Sequence, residues 1–445
     1  MKEKPLKGQI KKNRIIFGGK TRLNRSHKKI IYYMEKRNYT DKWVRKSILL
    51  ATLFFLIPGS IYPNVMSLSD SAQISVIIEG PSNKNIVYMN GHVSLRINDP
   101  GIDVDYIFSY GAFTSQSQVY LALIGKQVSE LWAMPSEQAI QEDIKRKNTR
   151  ITEHILNFTC EEKERLWQDL MFNALPENRA YEYDILRRSC ATLPVELIEK
   201  NAAGEVVYNF PPDAERVSFR EATETAYGPF PWICFFRDII FNGDKHNSKK
   251  ISKRDEFFLP LKVEAGFLAA DIVDKEGMSR PLILSSHTIH EGVEDPPAKN
   301  HITPLQLAFV LLTFTIILSL IEWWRRKQYR VYDCLLFGIA GLMGTALFLL
   351  VIFSNYQYTS TNFCMFWLHP VHIFGVVLFA FRKFDKPAYY YHILNILLMT
   401  FIISGKFFLP RYYNDAFLPL MFCLWIRSLA GIVRYRMNNL KNKSV

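Results

Sequence analysis

The sequence predicts an α+β domain outside the cytoplasm, fused to a C-terminal α-helical bundle in a membrane. Through the middle of the chain, short β-branched and aromatic runs separated by Gly, Pro, Asn and Asp alternate with helical stretches. In the last third, apolar residues concentrate in five segments that approach the length needed to span a bilayer. We therefore predict the α+β domain over residues 68–300 and a five-helix transmembrane domain over residues 301–445.

The distribution of charge supports a membrane protein. The chain has 445 residues and a net charge of +13, a value also found among nucleic-acid-binding proteins. Here the basic residues crowd into the first 46 positions and the short loops near the C-terminus. Lys and Arg collect in this way on the cytoplasmic side of membrane proteins, so we expect no nucleic-acid partner.

The N-terminal region predicts export. Residues 1–47 form a basic tail that we expect in the cytoplasm. Residues 48–66 contain the apolar run ILLATLFFLI, which is broken by Pro58 and Gly59. The run has the length of a signal-peptide core, and the segment is either cleaved or kept as an anchor. In both cases the chain that follows lies outside the cytoplasm.

Within the middle domain, runs of β-forming residues predict strands at 74–80, 85–97 and 103–113. Helices are predicted at 134–146 and at 159–175, the second capped by Thr159 with Glu162 three residues later. A further helix is predicted at 257–272. The Pro-, Ser- and acid-rich residues 277–300 suggest a linker to the bundle.

The bundle is predicted to start outside and end inside. The five apolar segments lie at 303–324, 331–353, 363–381, 388–404 and 416–433. The connectors at 323–330, 381–386 and 434–445 are basic, whereas those at 354–362 and 410–415 are not. The positive-inside rule places the basic connectors in the cytoplasm, which agrees with an exported middle domain.

Cys190 is the candidate nucleophile. It lies in the stretch YEYDILRRSCATLPVELIEK (181–200), where Pro194 marks the first turn of a helix. A thiol at a helix start faces free backbone N–H groups and the positive end of the helix dipole, and Arg187 and Arg188 add positive charge. These features favour the thiolate. The alternative is a buried cysteine that acts as a small hydrophobic residue.

His92 is the candidate base. Strand alternation in NGHVSLRI places His92, Ser94 and Arg96 on one face, opposite Val93, Leu95 and Ile97. An imidazole on the polar face of a strand can take the proton from a thiol and return it to a leaving group. The alternative is a surface or structural histidine. The candidates for a third group that orients the imidazole are Asp105, Tyr106, Tyr110 and Tyr183.

Other chemistries have no support in the sequence. The six cysteines show no CxxC motif and no Cys/His cluster with metal-ligand spacing, so we expect neither a metal site nor a disulfide framework. No Gly-rich phosphate loop, GxSxG elbow or HExxH motif is present. We expect no cofactor, because covalent catalysis by a cysteine needs none.

Several motifs resemble the Lnb-type lipoprotein N-acyltransferases. In the middle domain these are LSDSAQISVI, NGHVSLRI, GIDVDYIFSYGAF, FTCEEKERL and LPENRAYEYDILRRSCATLPVELI. In the bundle, TNFCMFWLHPVHI and FLPRYYNDAFLPLMFCLWIRSL resemble the two outside-facing membrane motifs of the family. The resemblance covers roughly residues 68–435. The order of His before Cys is similar to that of the circularly permuted papain-like folds related to NlpC/P60 and lecithin:retinol acyltransferase.

The resemblance implies a permuted papain-like (NlpC/P60-like) catalytic domain with Cys190 as nucleophile and His92 as base. The possible supporting residues are Tyr110, Tyr183, Ser189, Arg96, Asn362 and Trp367. The chain departs from the family pattern at three positions. Ser189 replaces an Asn before the cysteine, Leu193 replaces an Arg after Thr192, and Arg411 replaces a Gln in the second membrane motif.

The function implied by the resemblance is lipoprotein N-acylation at the cell inner membrane, with the catalytic domain in the periplasm. Cys190 would take an acyl chain from a membrane phospholipid as a thioester, and the α-amine of a diacylated lipoprotein would accept it. Backbone N–H groups at the helix start would stabilise the oxyanion. The aromatic stretch at 227–236 either dips into the lipid interface or belongs to a core. The alternatives are a membrane-anchored cell-wall cysteine peptidase or amidase and a non-catalytic membrane sensor.

Overall fold

The computed structural model describes residues 66–443, with gaps at 114, 116, 123, 244–248, 294, 296–301, 357–358, 360 and 406–413. The described residues belong to one compact unit. The basic tail at 1–47 lies outside the described residues, and so does the export segment at 48–66 except for Met66.

The middle domain is built on a seven-stranded antiparallel sheet. The strands in the described part of the chain are β1 (Gln73–Glu79), β2 (His92–Asp99), β3 (Val104–Ala112), β4 (Val128–Pro135), β5 (Ile151–Leu156), β6 (Ala180–Glu182), β7 (Glu205–Tyr208), β8 (Ala270–Val273), β9 (Ser279–Pro281) and β10 (Ile283–His290). The large sheet has the order β10-β5-β1-β2-β3-β4-β6, and β7-β8-β9 form a small second sheet. In the register of the large sheet, His92 lies opposite Glu79, and Ser94 lies opposite Ser109.

Seven α-helices lie in the described residues of the domain. They are α1 (Ser117–Ala122), α2 (Ser136–Arg146), α3 (Cys160–Asn173), α4 (Thr192–Asn201), α5 (Phe219–Tyr227), α6 (Pro231–Ile240) and α7 (Pro260–Leu268). The predicted cap of α3 is confirmed, because Thr159 and Glu162 form a reciprocal capping box. Both faces of the sheet are covered. Val93, Leu95 and Ile97 share one core with α3, α4 and α7, and α2 packs on the opposite face.

Four local predictions differ from the structure. The predicted strand at 85–97 begins with a short 3₁₀ turn, Ile86–Tyr88, and only His92 onward joins the sheet. The predicted helix at 134–146 starts at Ser136, because Met134 and Pro135 end β4. The predicted helix at 257–272 ends at Leu268 and is followed by β8. The predicted linker at 277–300 contains β9 and β10, whose backbone groups are paired with β8 and β5.

Among its described residues, the C-terminal part contains five helical segments long and apolar enough to cross a membrane, as predicted. Their helices are α8 (Pro304–Arg325), α9 (Arg330–Phe353), α10 (Val371–Ala380), α11 (Asp385–Gly405) and α12 (Phe417–Lys443). The third segment starts with a 3₁₀ turn, Phe363–Phe366, and its helix follows Pro370. The predicted fold class, an α+β domain fused to a five-helix bundle, is therefore confirmed.

One fully buried charge holds three of these helices together. Arg427 of α12 forms ion pairs with Asp333 of α9 at 2.6 Å and with Glu322 of α8 at 2.8 Å. A buried guanidinium in an apolar bundle is tolerated only when it is paired. These contacts align α8, α9 and α12.

Helix α6 joins the domain to the bundle. Phe235 and Ile239 of α6 belong to the apolar core of the bundle. The Trp232 indole N–H donates to the carbonyl of Ile302 at 2.9 Å. Trp232 and Phe235 of the aromatic stretch at 227–236 are therefore packed against the bundle, and Phe236 remains half exposed.

Candidate active site

Cys190 lies at the end of a tight loop and directly before α4. The Asp184 carboxylate accepts hydrogen bonds from the backbone N–H groups of Leu186 and Arg187, at 2.8 and 3.1 Å. Buried Ser189 accepts from the N–H groups of Ala191 and Thr192, both at 3.3 Å. These bonds determine how the backbone enters the helix, and they leave the Cys190 side chain half-buried.

His92 begins β2, directly after Gly91. The backbone of Gly91 has φ +83°, and a Cβ there would lie 2.3 Å from the carbonyl oxygen of Glu79. Only glycine accepts this turn into the strand. The His92 Nε2 atom lies 2.7 Å from the Ser109 hydroxyl on β3. This contact leaves Nδ1 as the ring nitrogen available to a thiol.

The structure brings Cys190 and His92 together. Burial by itself raises the pKa of the Cys190 thiol, but the charge of His92 and its hydrogen bonding lower it. Smaller contributions from Tyr183 and Lys147 act in the same direction, and the net pKa lies below the ordinary value. A lowered pKa favours the thiolate, which is the nucleophilic form.

The expected contribution of the two preceding arginines is not seen among these causes. The Arg188 guanidinium lies over the Tyr181 ring, 5.8 Å from its centroid. Arg187 is exposed. The thiolate is favoured mainly by His92 on the neighbouring strand and not by Arg187 and Arg188.

Tyr183 faces the sulfur. Its hydroxyl lies 4.0 Å from the Cys190 Sγ atom. Burial, followed by the nearby Cys190, raises the pKa of Tyr183 well above its ordinary value. The phenol therefore stays protonated and serves as a hydrogen-bond donor beside the nucleophile.

Gly111 makes room for Cys190, and sequence reasoning missed it. It lies in a bulge of β3 where the register to β4 shifts, and its φ is +95°. A Cβ at this position would lie 3.2 Å from the Cys190 Cβ and 3.5 Å from Cε2 of Tyr183. The absence of a side chain lets the cysteine approach the strand. A single Gly in a β-forming run was the only available signal.

We expect Gly111→Ala to lower acyl-enzyme formation by about 10²-fold, because a new methyl group displaces the nucleophile. The matched control is Gly277→Ala, since Gly277 also has a positive φ, +81°, but a Cβ there would meet nothing within 4 Å. Both variants should lose about 1 kcal/mol of unfolding free energy from backbone strain. Thermal unfolding and an acylation assay measure the two effects. Equal activity in the two variants would show that Gly111 does not position Cys190.

We expect Ser109→Ala to lower kcat about five- to ten-fold, because one hydrogen bond that orients the imidazole is lost. The control is Ser94→Ala, a buried serine directly opposite Ser109 in the register. Steady-state rates measure the difference. A Ser109→Ala enzyme with wild-type kcat would exclude Ser109 as the orienting group.

A buried ion pair lies behind His92. Lys147, at the end of α2, pairs with Glu79, the residue opposite His92 in the register, and with Asp143 at 3.0 Å. Burial raises the pKa of Glu79 to about 7, although Lys147 opposes this shift. Nothing in the local sequence pointed to this pair, because its members come from separate elements.

Two other predicted supporting residues, Tyr110 and Arg96, form hydrogen bonds with groups other than Cys190 and His92. Buried Tyr110 accepts a hydrogen bond from the Asn173 side chain at 2.9 Å. Arg96 binds Asp105 through two bonds of 2.8 Å and Glu153 at 3.0 Å. These contacts give Tyr110, Arg96 and Asp105 structural partners. The imidazole is bound by Ser109, which was not among the predicted orienting residues.

Asn362 and Trp367 lie in the bundle. The Asn362 side-chain amide donates to the carbonyls of Ile239 and Ile240, at 2.7 and 2.9 Å. Trp367 is buried, and its ring centroid lies 5.3 Å from that of Phe417. Asn362 thus anchors the end of α6 to the bundle by hydrogen bonds, and Trp367 packs in the core of the bundle.

Tyr356, in the loop after α9, connects the bundle to the loop that carries Cys190. Its hydroxyl donates to the carbonyl of Ala122 at 2.7 Å. Its ring covers Gly125, where a Cβ would lie 3.0 Å from the ring. The same ring shares an apolar cluster with Leu186. The candidate site is therefore in contact with one end of the membrane domain.

Within the part of the chain that the structure describes, no group of three or more His, Cys, Asp or Glu side chains is arranged to hold a metal ion. The fold and the site together define a membrane-anchored protein with a Cys/His pair in its α+β domain.

Comparison with family models agrees with this class. The model described as the Lnb N-terminal periplasmic domain matches residues 67–218, and the Lnb transmembrane domain matches residues 297–438. Together the two matches cover more than half of the chain. The chain belongs to the Lnb family and has the architecture of an Lnb-type lipoprotein N-acyltransferase. No match was found among curated proteins or solved structures.

Proposed function

We propose that this protein is a lipoprotein N-acyltransferase. It moves an acyl chain from a membrane phospholipid, through a Cys190 thioester, to the α-amine of a diacylated lipoprotein. The observation that carries the proposal is the pairing of Cys190, with its lowered thiol pKa, and His92 in a family domain that contacts a membrane bundle. Both substrates are lipids, which explains why the site is joined to such a bundle.

In the first half-reaction the Cys190 thiolate attacks the ester carbonyl of the phospholipid, and a C–S bond forms. His92, protonated by the thiol, donates that proton to the leaving glycerol oxygen as the C–O bond breaks. The products are the acyl-thioester enzyme and a lysophospholipid. No cofactor takes part in this route.

In the second half-reaction the neutral α-amine of the lipoprotein's diacylglyceryl cysteine attacks the thioester. The His92 imidazole accepts the amine proton, the amide bond forms, and the Cys190 thiolate is released. The lipoprotein then carries a third acyl chain. The proton afterwards returns from His92 to Cys190, so the enzyme is regenerated.

Each tetrahedral intermediate carries an oxyanion beside Cys190. The backbone N–H groups of Ala191 and Thr192, which the helix start suggests as donors, point to the Ser189 hydroxyl. The protonated Tyr183 hydroxyl is the better placed donor, since it already faces the sulfur at 4.0 Å. Tyr183 thus stabilises the charge that develops during both steps.

The proposed location is the cell inner membrane, with multiple spans and the catalytic domain in the periplasm. The basic connectors at 323–330 and 381–386 lie in the cytoplasm under this topology. The loop that carries Tyr356 then lies on the periplasmic side, where mature lipoproteins and outer-leaflet phospholipids meet the site.

The test uses the full-length protein in nanodiscs that contain phospholipid with an isotope-labelled acyl chain. A synthetic diacylated lipopeptide is the acceptor, and mass spectrometry measures the product. The expected product is a triacylated peptide that carries the labelled chain as an amide. Cleavage of added cell-wall peptides without acyl transfer would instead identify a peptidase or amidase. If neither product forms, the result favours a sensor and overturns the proposal.

A further inference from the structure

A cavity of about 460 Å³ lies beside the start of α4. Its charged lining consists of four cationic and two anionic side chains: Arg187, Lys249, Lys250, Arg254, Glu196 and Asp255. The lining therefore has an excess of positive charge. Thr192, Leu186 and Ile251 also border the cavity.

Two of the cations are held in place by acids outside the cavity lining. Arg254 binds Glu199 through two bonds of 2.6 and 2.8 Å, and Lys250 binds Glu221 at 2.9 Å. Among the described residues, Arg187 and Lys249 have no acidic partner, and both are exposed. These two cations are available to an anionic ligand without breaking an existing ion pair.

The cavity is close to both the nucleophile and the bundle. Arg187 precedes Cys190 by three residues, and the Thr192 hydroxyl donates to the Arg187 carbonyl at 3.0 Å. Leu186 and Ile251 of the cavity belong to the same apolar cluster as Tyr356 from the loop after α9. A ligand in the cavity would therefore contact the loop that carries Cys190, next to the apolar cluster that Tyr356 of the membrane domain joins.

We infer that this cavity binds the phosphate of the acyl donor. In a glycerophospholipid the phosphate is carried by the glycerol carbon next to an esterified one, so the two groups must bind close together. Arg and Lys side chains are the usual partners of phosphate oxygens. The inference rests on the proposed function and adds to it a preference for phosphorylated donors over neutral diacylglycerol.

The test compares two donors with identical acyl chains, dioleoyl phosphatidylethanolamine and dioleoylglycerol, in mixed micelles of an uncharged detergent. The variants are Arg187→Gln, Lys249→Gln and the double variant. The control is Lys275→Gln, which removes the same charge from an exposed turn elsewhere. We expect the double variant to raise the KM for the phospholipid about five-fold. Its preference for phospholipid over diacylglycerol should fall by the same factor. The control should leave both values unchanged.

Competition by inorganic phosphate distinguishes a cavity that binds the lipid phosphate from one that binds free phosphate. If the cavity binds the lipid phosphate, millimolar phosphate should raise the phospholipid KM of the wild type more than that of the double variant. Competition by phosphate together with an unchanged phospholipid KM in the double variant would assign the cavity to free phosphate and overturn the inference. An equal increase of the KM for both donors in the double variant would also overturn the inference. A wild-type protein that transfers no acyl chain from either donor would instead disprove the proposed function.

Discussion

Replacement of Cys190 by alanine is expected to abolish the third acyl chain on lipoproteins, with a rate loss of at least about 10³-fold. Without the sulfur no thioester forms, so the acyl chain has no covalent carrier. The measurement is mass spectrometry of the N-terminal peptide of a reporter lipoprotein from cells that depend on this protein. The acyl-enzyme, detected as a hydroxylamine-sensitive mass increase on the protein, should also disappear.

The matched control is Cys160→Ala. Cys160 is exposed at the first position of α3, and its loss removes a thiol without touching the site. This variant should acylate lipoproteins like the wild type. A triacylated reporter in the Cys190→Ala strain would rule out the thioester route. A diacylated reporter in the Cys160→Ala strain would show that the effect is not specific to Cys190.

Replacement of His92 by alanine is expected to lower kcat by about 10²- to 10⁴-fold, the usual contribution of a general acid and base. It should also change the titration of the nucleophile. Because His92 lowers the pKa of the Cys190 thiol, its removal should raise that pKa. The thiolate then forms only at higher pH, so alkylation of Cys190 by iodoacetamide should need a more alkaline solution than in the wild type.

The control for this experiment is His287→Ala, because His287 is a largely exposed histidine on β10 that pairs with Glu153 at 3.1 Å. Its alkylation profile should coincide with that of the wild type. The variants Cys160→Ala and Cys190→Ala in the same assay identify which thiol is titrated. An unshifted Cys190 profile in His92→Ala would contradict the assignment of His92 as the base, even if activity were lost.

The local predictions that the structure confirms depend on local signals. The helix that follows Cys190 has a proline in its first turn, and Thr159 and Glu162 have the spacing of a capping box. Both features depend on neighbours within a few positions. The membrane segments were found for the same reason, since each is a continuous apolar run.

The residues that sequence reasoning missed are brought to the site by long-range pairing. Ser109 reaches His92 because β2 and β3 are neighbours in the sheet. Gly111 reaches Cys190 through a bulge in β3. Residues 277–300 read as a linker because Pro, Ser and acidic residues mask the alternation of β10, whose partner β5 lies more than a hundred residues earlier.

The sequence by itself determined the membrane domain, the helix start at Cys190 and the polar strand that begins at His92, because these depend on composition and short-range periodicity. Only the tertiary structure decided which groups surround the sulfur. The imidazole, the Ser109 hydroxyl, the Tyr183 phenol and the Lys147 ammonium come from four separate segments. The order of the strands, their register and the bulge in β3 bring these groups together. None of these three features can be read from a local sequence pattern.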